Sequence, residues 1–262
     1  MTKQITQMNR SLKLQNSYVN MSELIQKQIK IGDDGSSSIF IFDWADLLDK
    51  TSHDLFAGIG KTEISRAKKI NHLRRRKEFI VARQLTRQTL SKVYANQDNS
   101  SFTKEGQGAY MAPADWNIQE TSLGKPQITN ENIQNLNFNI SHSDQYLVIG
   151  ITKREKIGID IEPIQPALVD PFPAQLFSKN EIEKLKSLKT NEQPKFFTKL
   201  WTSKEAIAKY TGVGGAVDFS KIGIKSKNKS LYGEINQGQK IKLMQFLIKK
   251  HTKQSIMTVA LH

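Results

Sequence analysis

The amino-acid sequence predicts an α+β fold, and two observations on its segments support this prediction. Short apolar runs typical of strands occupy residues 38–44, 137–143, 146–152, 158–162, 241–248 and 254–262. Longer stretches free of glycine and proline, which are typical of helices, occupy residues 62–94 and 195–211. Because strands and helices follow one another without regular alternation, their order indicates an α+β arrangement rather than repeated βα units.

The N-terminal part of the chain changes character several times. Residues 1–35 are polar and end in the sequence GDDGSSS, so they predict a tail or a loosely docked helix closed by a linker. The run SIFIFDW at 38–44 predicts the first strand, and residues 62–94 predict a helix with at most one break. A turn-rich stretch at 96–135 follows and contains the tripeptide Gly124-Lys125-Pro126.

The middle of the chain combines two strands, a proline-rich loop and the start of a helix. The strands YLVIGIT (146–152) and GIDIE (158–162) are separated by a short basic turn, so we predict that they pair as a hairpin. A loop with four prolines (163–173) follows them. The next helix begins after Ser178, whose hydroxyl forms a capping box with the Glu181 carboxylate three residues on.

Length and composition narrow the class of protein. The 262 residues suffice for one large domain or two small ones, and 37% of them are hydrophobic. No stretch approaches the ~20 consecutive apolar residues of a membrane span, and the first thirty residues lack the apolar region of a signal peptide. The chain has no cysteine, which excludes disulfides and thiolate metal sites. We therefore expect a cytoplasmic protein with no membrane partner.

The charge is strongly positive and unevenly distributed. The formal net charge is +14, and residues 61–92 alone contain eleven Lys or Arg against two Glu. A polyanionic or acidic partner would account for this excess, and a solvated helix face is the simpler explanation for such a segment. A nucleic-acid-binding protein is the competing class. No aromatic stacking platform or known binding motif accompanies the arginines, so we expect no nucleic-acid partner.

Two carboxylates interrupt the apolar strand at 158–162. Residues two apart on a strand point to the same side, so Asp160 and Glu162 share a face opposite Ile159 and Ile161. Burying both carboxylates without a partner would be costly. The partner is either a basic side chain or a hard divalent cation, which prefers oxygen ligands.

The helix at 195–211 adds a third acid. Glu205 lies at the border of its apolar stripe, and Lys209 lies on the same edge one turn later. A metal ligand and a phosphate-binding cation on one helix edge suit a metal-bound polyphosphate, whereas an ordinary Glu–Lys helix pair is the simpler alternative. Lys204 falls within the apolar stripe, so we expect its amine to pair with an acid or a carbonyl, or else to reach the surface.

The order of these motifs is similar to that of a known enzyme family. GKP (124–126), FNISHS (138–143), GIDIE (158–162) and WTSKEAIAK (201–209) occur in sequence. Their combination resembles the 4′-phosphopantetheinyl transferase superfamily, specifically its Sfp type, over roughly residues 60–262. The 157 residues before Gly158 fit the Sfp type rather than the short holo-acyl-carrier-protein synthase type. One departure is Val213, which stands where the family often has a lysine.

The resemblance implies a fold, a reaction and partners. It implies a pseudo-dimer of two similar halves, with the active site in the cleft between them and boundaries at 1–35, 36–155 and 156–262. The reaction would transfer the phosphopantetheine arm of coenzyme A to a serine of an apo carrier protein and release 3′,5′-ADP. The partners would be coenzyme A and an acidic acyl, peptidyl or polyketide carrier. The cation would be Mg²⁺, with Mn²⁺ as the alternative. The protein would be a monomer.

The resemblance also assigns roles to particular residues. Metal ligands would be Asp160, Glu162 and Glu205. Catalytic residues would be Asp160, Lys209 and Glu205, the last as the candidate general base. Coenzyme A would be bound by Arg66, Arg83, Lys125, Ser141, His142 and Lys209. Trp201 would be a packing residue.

Overall fold

The structure is a computed structural model that describes residues 25–31, 35–50, 56–95, 111–153, 156–168, 172–213, 217–235 and 238–261. Its helices are α1 Ala45–Lys50, α2 Lys61–Lys69, α3 Leu73–Ala95, α4 Lys179–Ser187 and α5 Gln193–Thr211. Its strands are β1 Ile25–Ile31, β2 Ser37–Asp43, β3 Ile118–Glu120, β4 Pro126–Ile128, β5 Asn137–His142, β6 Tyr146–Thr152, β7 Gly158–Pro163, β8 Gly223–Lys227, β9 Ser230–Ile235, β10 Gln239–Lys250 and β11 Lys253–Leu261. This mixture confirms the predicted α+β class.

The strands form three sheets among the described residues. A four-stranded sheet has the order β1-β2-β6-β5, and a five-stranded sheet has the order β7-β11-β10-β9-β8. A small two-stranded sheet pairs β3 with β4. The C-terminal strands β10 and β11, predicted from the sequence, are antiparallel neighbours that turn at residues 251–252.

The chain divides into two compact units. The first comprises the described residues of Met1–Gln28, Phe40–Gln119 and Ile128–Gln134. The second comprises the described residues of Ile29–Ile39, Glu120–Gln127 and Asn135–His262. The domain boundaries drawn from the sequence stay predictions.

Helix and cap predictions agree with the structure. The predicted helix at 62–94 is two helices, α2 and α3, with a single break at residues 70–72. Ser178 accepts a hydrogen bond from the Glu181 backbone N–H at 3.3 Å, and Glu181 Oε2 accepts one from the Ser178 backbone N–H at 2.9 Å. This is the predicted capping box at the start of α4. Helix α5 ends before Gly212, whose φ of 79° is the left-handed conformation that glycine adopts without strain.

The predicted hairpin between YLVIGIT and GIDIE is wrong. Strand β6 forms its hairpin with the preceding strand β5, and β7 pairs antiparallel with β11, where Asp160 is opposite Thr258. The turn between β5 and β6 is closed by a hydrogen bond from the Ser143 backbone N–H to the Tyr146 carbonyl at 2.8 Å. Both β6 and β7 are apolar, so their composition does not distinguish a neighbouring strand from one almost a hundred residues later.

Two further differences concern strands. Ile25–Ile31 is strand β1, so the prediction of a tail or a loosely docked helix at 1–35 is wrong over these residues, while residues 1–24 and 32–34 lie outside the described part. Alternation of isoleucine with polar residues suits an edge strand that buries one side. Strands β8 and β9 were not predicted from the sequence. They are joined through Asn228 and Lys229, both at positive φ.

Helix α5 packs against β7 so closely that their backbones nearly touch. A Cβ atom at Gly158 would lie 2.0 Å from the Ala206 carbonyl oxygen and 2.5 Å from the Tyr210 backbone nitrogen. The glycine of the GIDIE motif therefore permits the approach of the helix. The strand's Ile159 and Ile161 are fully buried, so the two elements also share an apolar interface.

Gly158→Ala should destabilise the protein by about 3 kcal/mol or more, because the new methyl group collides with backbone atoms that have no alternative rotamer. Urea denaturation monitored by circular dichroism measures the free energy of unfolding. Gly223→Ala is the matched control, since the nearest atom to its added Cβ is the flexible end of Lys225 at 4.0 Å. Equal stability of the two variants would show that α5 adjusts its position without cost.

Candidate active site

The acids of β7 lie as the strand alternation predicted. Asp160 is only 3% exposed, and Glu162 is partly buried. They alternate with Ile159 and Ile161, which are fully buried. A nearly buried carboxylate within an apolar strand requires compensation, and the structure supplies it from two other motifs.

Asp160 is the centre of a three-residue network. Its Oδ1 accepts hydrogen bonds from Lys209 Nζ at 2.7 Å and from Ser141 Oγ at 2.8 Å. Lys209 Nζ also donates to Ser141 Oγ at 2.9 Å. The network joins the FNISHS, GIDIE and WTSKEAIAK motifs, which are far apart in the sequence. Oδ2 of Asp160 is buried and accepts no hydrogen bond from any residue that the structure describes.

Strand β5 also positions the backbone of β7. Asn139 Oδ1 accepts a hydrogen bond from the Ile159 backbone N–H at 3.0 Å, and Ser141 Oγ accepts one from the Ile161 backbone N–H at 3.4 Å. Asn139 and Ser141 are two residues apart and both buried, so they lie on the same side of β5. Their side chains accept hydrogen bonds from the edge of β7 that does not pair with β11. Asn139 was not predicted as a site residue, although its alternation with Ser141 is visible in the sequence.

Glu162 and Glu205 share the electrostatic environment of Asp160. Burial raises the pKa of Glu162 to about 7, and repulsion from Asp160 and Glu205 adds to this rise, against the opposing attraction of Lys209. Burial and the Asp160 charge likewise raise the pKa of Glu205, while Lys209 lowers it. Three carboxylates therefore crowd one region that holds a single ammonium group among these residues.

Trp201 has two roles at this site. Its ring stacks on Phe197 and Phe219, with centroid distances of 6.4 Å and 5.7 Å. This agrees with the predicted packing role. Its side chain also lies near the Glu162 carboxylate and lowers the pKa of that group by favouring its charged form. The tryptophan thus links the aromatic cluster of α5 to the acidic site.

The donor chemistry of the three acids suits a hard divalent cation. Carboxylate oxygens are the ligands that such ions prefer, and Oδ2 of Asp160 is a buried acceptor without a donor. Within the described part of the chain, however, no group of three or more His, Cys, Asp and Glu side chains is arranged to hold a metal ion. The cation beside Asp160 in this structure is the Lys209 ammonium.

The side chain of Lys125, which precedes strand β4, contacts the C-terminal end of α5. Its Nζ donates a hydrogen bond to the Lys209 carbonyl at 2.9 Å, where the helix dipole favours a positive charge. Burial lowers the pKa of Lys125, and repulsion from Lys156 lowers it further. A small pocket of about 230 Å³ lies beside Lys125 and is also lined by Asn139 and Lys209. His142, at the end of β5, is exposed.

Lys204 is a structural residue. Its side chain is fully buried, and Nζ bonds to Glu181 Oε2 at 2.9 Å and to the carbonyls of Phe219 and Ile222, both at 2.7 Å. The prediction that its amine pairs with an acid or a carbonyl is confirmed on both counts. Lys204 thus ties α5 to α4 and to the loop before β8.

Arg66 and Arg83 belong to the first unit. Both guanidinium groups lie over the ring of Phe79, at 5.3 Å for Arg66 and 5.1 Å for Arg83. Arg66 is exposed, whereas Arg83 is buried and lies 3.4 Å from the Glu63 carboxylate. Glu63 also pairs with buried Arg87 at 2.7 Å. The basic segment at 61–92 therefore contains buried arginines as well as a solvated face.

A family comparison agrees with this geometry. Residues 156–260, which include Asp160, Glu162, Glu205 and Lys209, match the model of the 4′-phosphopantetheinyl transferase superfamily. The resemblance inferred from the motifs is confirmed.

Curated relatives support the same assignment. A putative 4′-phosphopantetheinyl transferase of Synechocystis sp. is 35% identical over 95 residues, which are 35% of this chain and 37% of that protein. The 4′-phosphopantetheinyl transferase HetI of Nostoc sp. is 28% identical over 165 residues, or 62% of each chain. Sfp of Bacillus subtilis, also named a 4′-phosphopantetheinyl transferase, is 30% identical over 112 residues, 43% of this chain and 48% of that protein. The chain spans from 37% to 62% of the length of these relatives.

None of the helices in the described ranges is long and apolar enough to cross a bilayer.

Lys204→Met should lower the free energy of unfolding by about 3–5 kcal/mol, because it leaves the Glu181 carboxylate buried without its cation. Chemical denaturation measures the loss. The double variant Lys204→Met, Glu181→Gln should recover part of it, since the amide oxygen still accepts from Ser178 without a charge. Lys199→Met, at an exposed lysine of the same helix, is the control. If Lys204→Met were as stable as the control, the ion pair would not anchor α5.

The raised pKa of Glu162 makes the stability of the metal-free protein depend on pH. Between the ordinary pKa of 4.5 and about 7, the folded protein retains a proton that the unfolded chain has lost. The free energy of unfolding therefore falls as the pH rises through this window. Glu162→Gln should remove this loss, so that the variant exceeds the wild type in stability at pH 8 and matches it near pH 4.

Thermal unfolding in the presence of a chelator, at several pH values from 4 to 8, measures this difference. Glu183→Gln, at an exposed carboxylate of α4, should leave the pH profile of the wild type unchanged. Parallel profiles for wild type and Glu162→Gln would contradict the raised pKa.

Proposed function

We propose that the protein transfers the 4′-phosphopantetheine arm of coenzyme A to a serine of an apo carrier protein and releases 3′,5′-ADP. The observation that carries this proposal is the network of Asp160, Ser141 and Lys209. It joins three motifs around one carboxylate, and two of them lie in the segment that matches the model of the transferase superfamily. The curated relatives are named for this transfer.

The reaction exchanges one phosphorus–oxygen bond for another. The carrier serine oxygen bonds to the phosphorus that bears the pantetheine arm, and the bond from that phosphorus to the 3′,5′-ADP oxygen breaks. The serine proton must leave as the new bond forms. A phosphoryl-type transfer of this kind depends on positioning and charge neutralisation more than on covalent chemistry.

Glu205 is proposed as the general base for the serine, directly or through a water molecule. Burial and the charge of Asp160 raise its pKa, which makes the carboxylate a stronger base than an exposed glutamate. Its position on α5, in the turn before Lys209, places the base and a phosphate-binding amine on one rigid element.

A divalent cation would be held by Asp160, Glu162 and Glu205, with Mg²⁺ preferred and Mn²⁺ as the alternative. When bound, it would neutralise charge on the diphosphate and on the departing 3′,5′-ADP. The raised pKa of Glu162 supports this assignment, because a nearby cation relieves the repulsion that keeps the group protonated. Asp160 contributes an oxygen that accepts no hydrogen bond from any described residue.

The remaining assignments concern the phosphates and the carrier. Lys209 is proposed to bind the diphosphate, and the other contacts to coenzyme A are assigned to Arg66, Arg83, Lys125, Ser141 and His142. Ser141 is buried and already bonded to Asp160, so its role would be to position that carboxylate and Lys209. A net charge of +14 favours an acidic carrier and a polyanionic substrate by electrostatic steering. The pseudo-dimer with a site in its cleft, the monomeric state and the cytoplasmic location stay predictions.

Incubation with coenzyme A, Mg²⁺ and a panel of apo fatty-acid, polyketide and peptide carriers tests the proposal. The expected result is a mass increase of one phosphopantetheine group on the serine of at least one carrier. Asp160→Ala should abolish labelling, because it removes the carboxylate that joins the motifs, while circular dichroism shows an intact fold.

Glu183→Gln is the matched control for the loss of a carboxylate, and it should label at the wild-type rate. No labelling of any carrier by the wild type would reject the transferase. Tight, salt-sensitive binding to DNA or RNA in that case would instead favour the nucleic-acid-binding class. Near-normal labelling by Asp160→Ala would remove Asp160 from the reaction.

A further inference from the structure

The cation beside Asp160 belongs to the protein itself. Lys209 Nζ is 2.7 Å from Asp160 Oδ1, the length of a charge-assisted hydrogen bond. Ser141 Oγ lies between the two groups, since it accepts from the amine and donates to the same Oδ1. One oxygen of the proposed metal ligand is therefore already saturated, and the other is without a donor.

The attachment of Lys209 allows its amine to move while its backbone stays fixed. Its backbone carbonyl accepts a hydrogen bond from Lys125 Nζ at 2.9 Å within the ordered helix α5. Its side chain remains 28% exposed, against 4% for the carboxylate that it contacts. A long, partly solvated side chain can rotate away from Asp160, whereas the buried carboxylate on a central part of β7 cannot follow it.

The charges explain why displacement of the lysine from Asp160 would need both the metal and the anionic substrate. Beside the three carboxylates, the amine supplies one positive charge, and the repulsion that raises the pKa of Glu162 persists in its presence. A divalent ion that enters alone competes with the ammonium for Asp160 Oδ1 and is repelled by it. An anionic diphosphate offers the amine a new partner and so frees that oxygen for the metal.

We propose that Lys209 is a resident counter-ion of the acidic site, which a divalent cation must displace, and that its transfer to the substrate diphosphate couples metal binding to coenzyme A binding. This inference rests on the proposed function, because it takes the diphosphate as the group that receives the amine. By thermodynamic reciprocity, the metal should increase the affinity for coenzyme A by the same factor as coenzyme A increases that for the metal.

Binding of Mn²⁺ alone, measured by electron paramagnetic resonance of the free ion, tests the first half of the proposal. Lys209→Met should bind Mn²⁺ at least tenfold more tightly than the wild type, because the competing ammonium is gone and Asp160 is left uncompensated. Addition of coenzyme A should tighten Mn²⁺ binding at least tenfold in the wild type and much less in Lys209→Met. Unchanged or weaker Mn²⁺ binding by the variant would overturn the proposal.

Two further variants separate charge from position. Lys195→Met removes a lysine from an exposed position of the same helix, so it should bind Mn²⁺ as the wild type does. A similar gain in this control would attribute the effect to net charge and overturn the counter-ion role. Lys209→Arg keeps the charge and should remain as weak a Mn²⁺ binder as the wild type.

Folding is monitored in the same samples. Lys209→Met should unfold at a lower temperature than the wild type in chelator, and Mn²⁺ should raise its unfolding temperature more than that of the wild type. The reverse order of these shifts would contradict the proposal even if the variant is only marginally stable. Carrier labelling by the wild-type protein is measured separately. If the wild type labels a carrier but Lys209→Met does not bind Mn²⁺ more tightly, only the counter-ion role is rejected. If Lys209→Met binds Mn²⁺ more tightly but the wild type labels no carrier, only the transferase is rejected.

Discussion

The close approach of helix α5 to strand β7 is the constraint on which the second unit depends. At Gly158 the backbones are so near that no Cβ atom fits between them. This contact sets the distance between the strand that carries Asp160 and the helix that carries Glu205 and Lys209. Because both elements are regular and hydrogen-bonded along their length, a short contact at one end fixes the positions of side chains one turn away. The acidic site follows from that packing.

Two buried lysine–carboxylate pairs on α5 have different consequences. Lys204 has three acceptors around its amine and is fully buried, so it stabilises the arrangement of α5 and α4. Lys209 is partly exposed, and the Asp160 carboxylate that it contacts keeps one oxygen without a donor. A lysine that is fully buried among three acceptors supports a fold, whereas a partly exposed lysine beside several carboxylates is suited to exchange partners.

Much of the fold was predictable from local patterns. The capping box at Ser178 and the end of α5 at Gly212 depend on neighbouring residues, and both appear as the sequence predicted. The partner of β7 depends on a strand almost a hundred residues later, and local apolar content could not identify it. Strands β8 and β9 were missed because they are short and bury only Gly233 fully, so they lack a marked apolar alternation.

The sequence by itself determined the residue types of the site and the side of β7 on which Asp160 and Glu162 lie. It also determined the resemblance to a known family, because strand periodicity and motif order are properties of the linear chain. Only the tertiary structure decided which groups meet. It placed Lys209 and Ser141 on the same oxygen of Asp160, gave Asn139 a role at the edge of β7, and separated the structural Lys204 from Lys209. Hydrogen bonds between residues distant in sequence depend on how sheets and helices pack, and no local pattern encodes that packing.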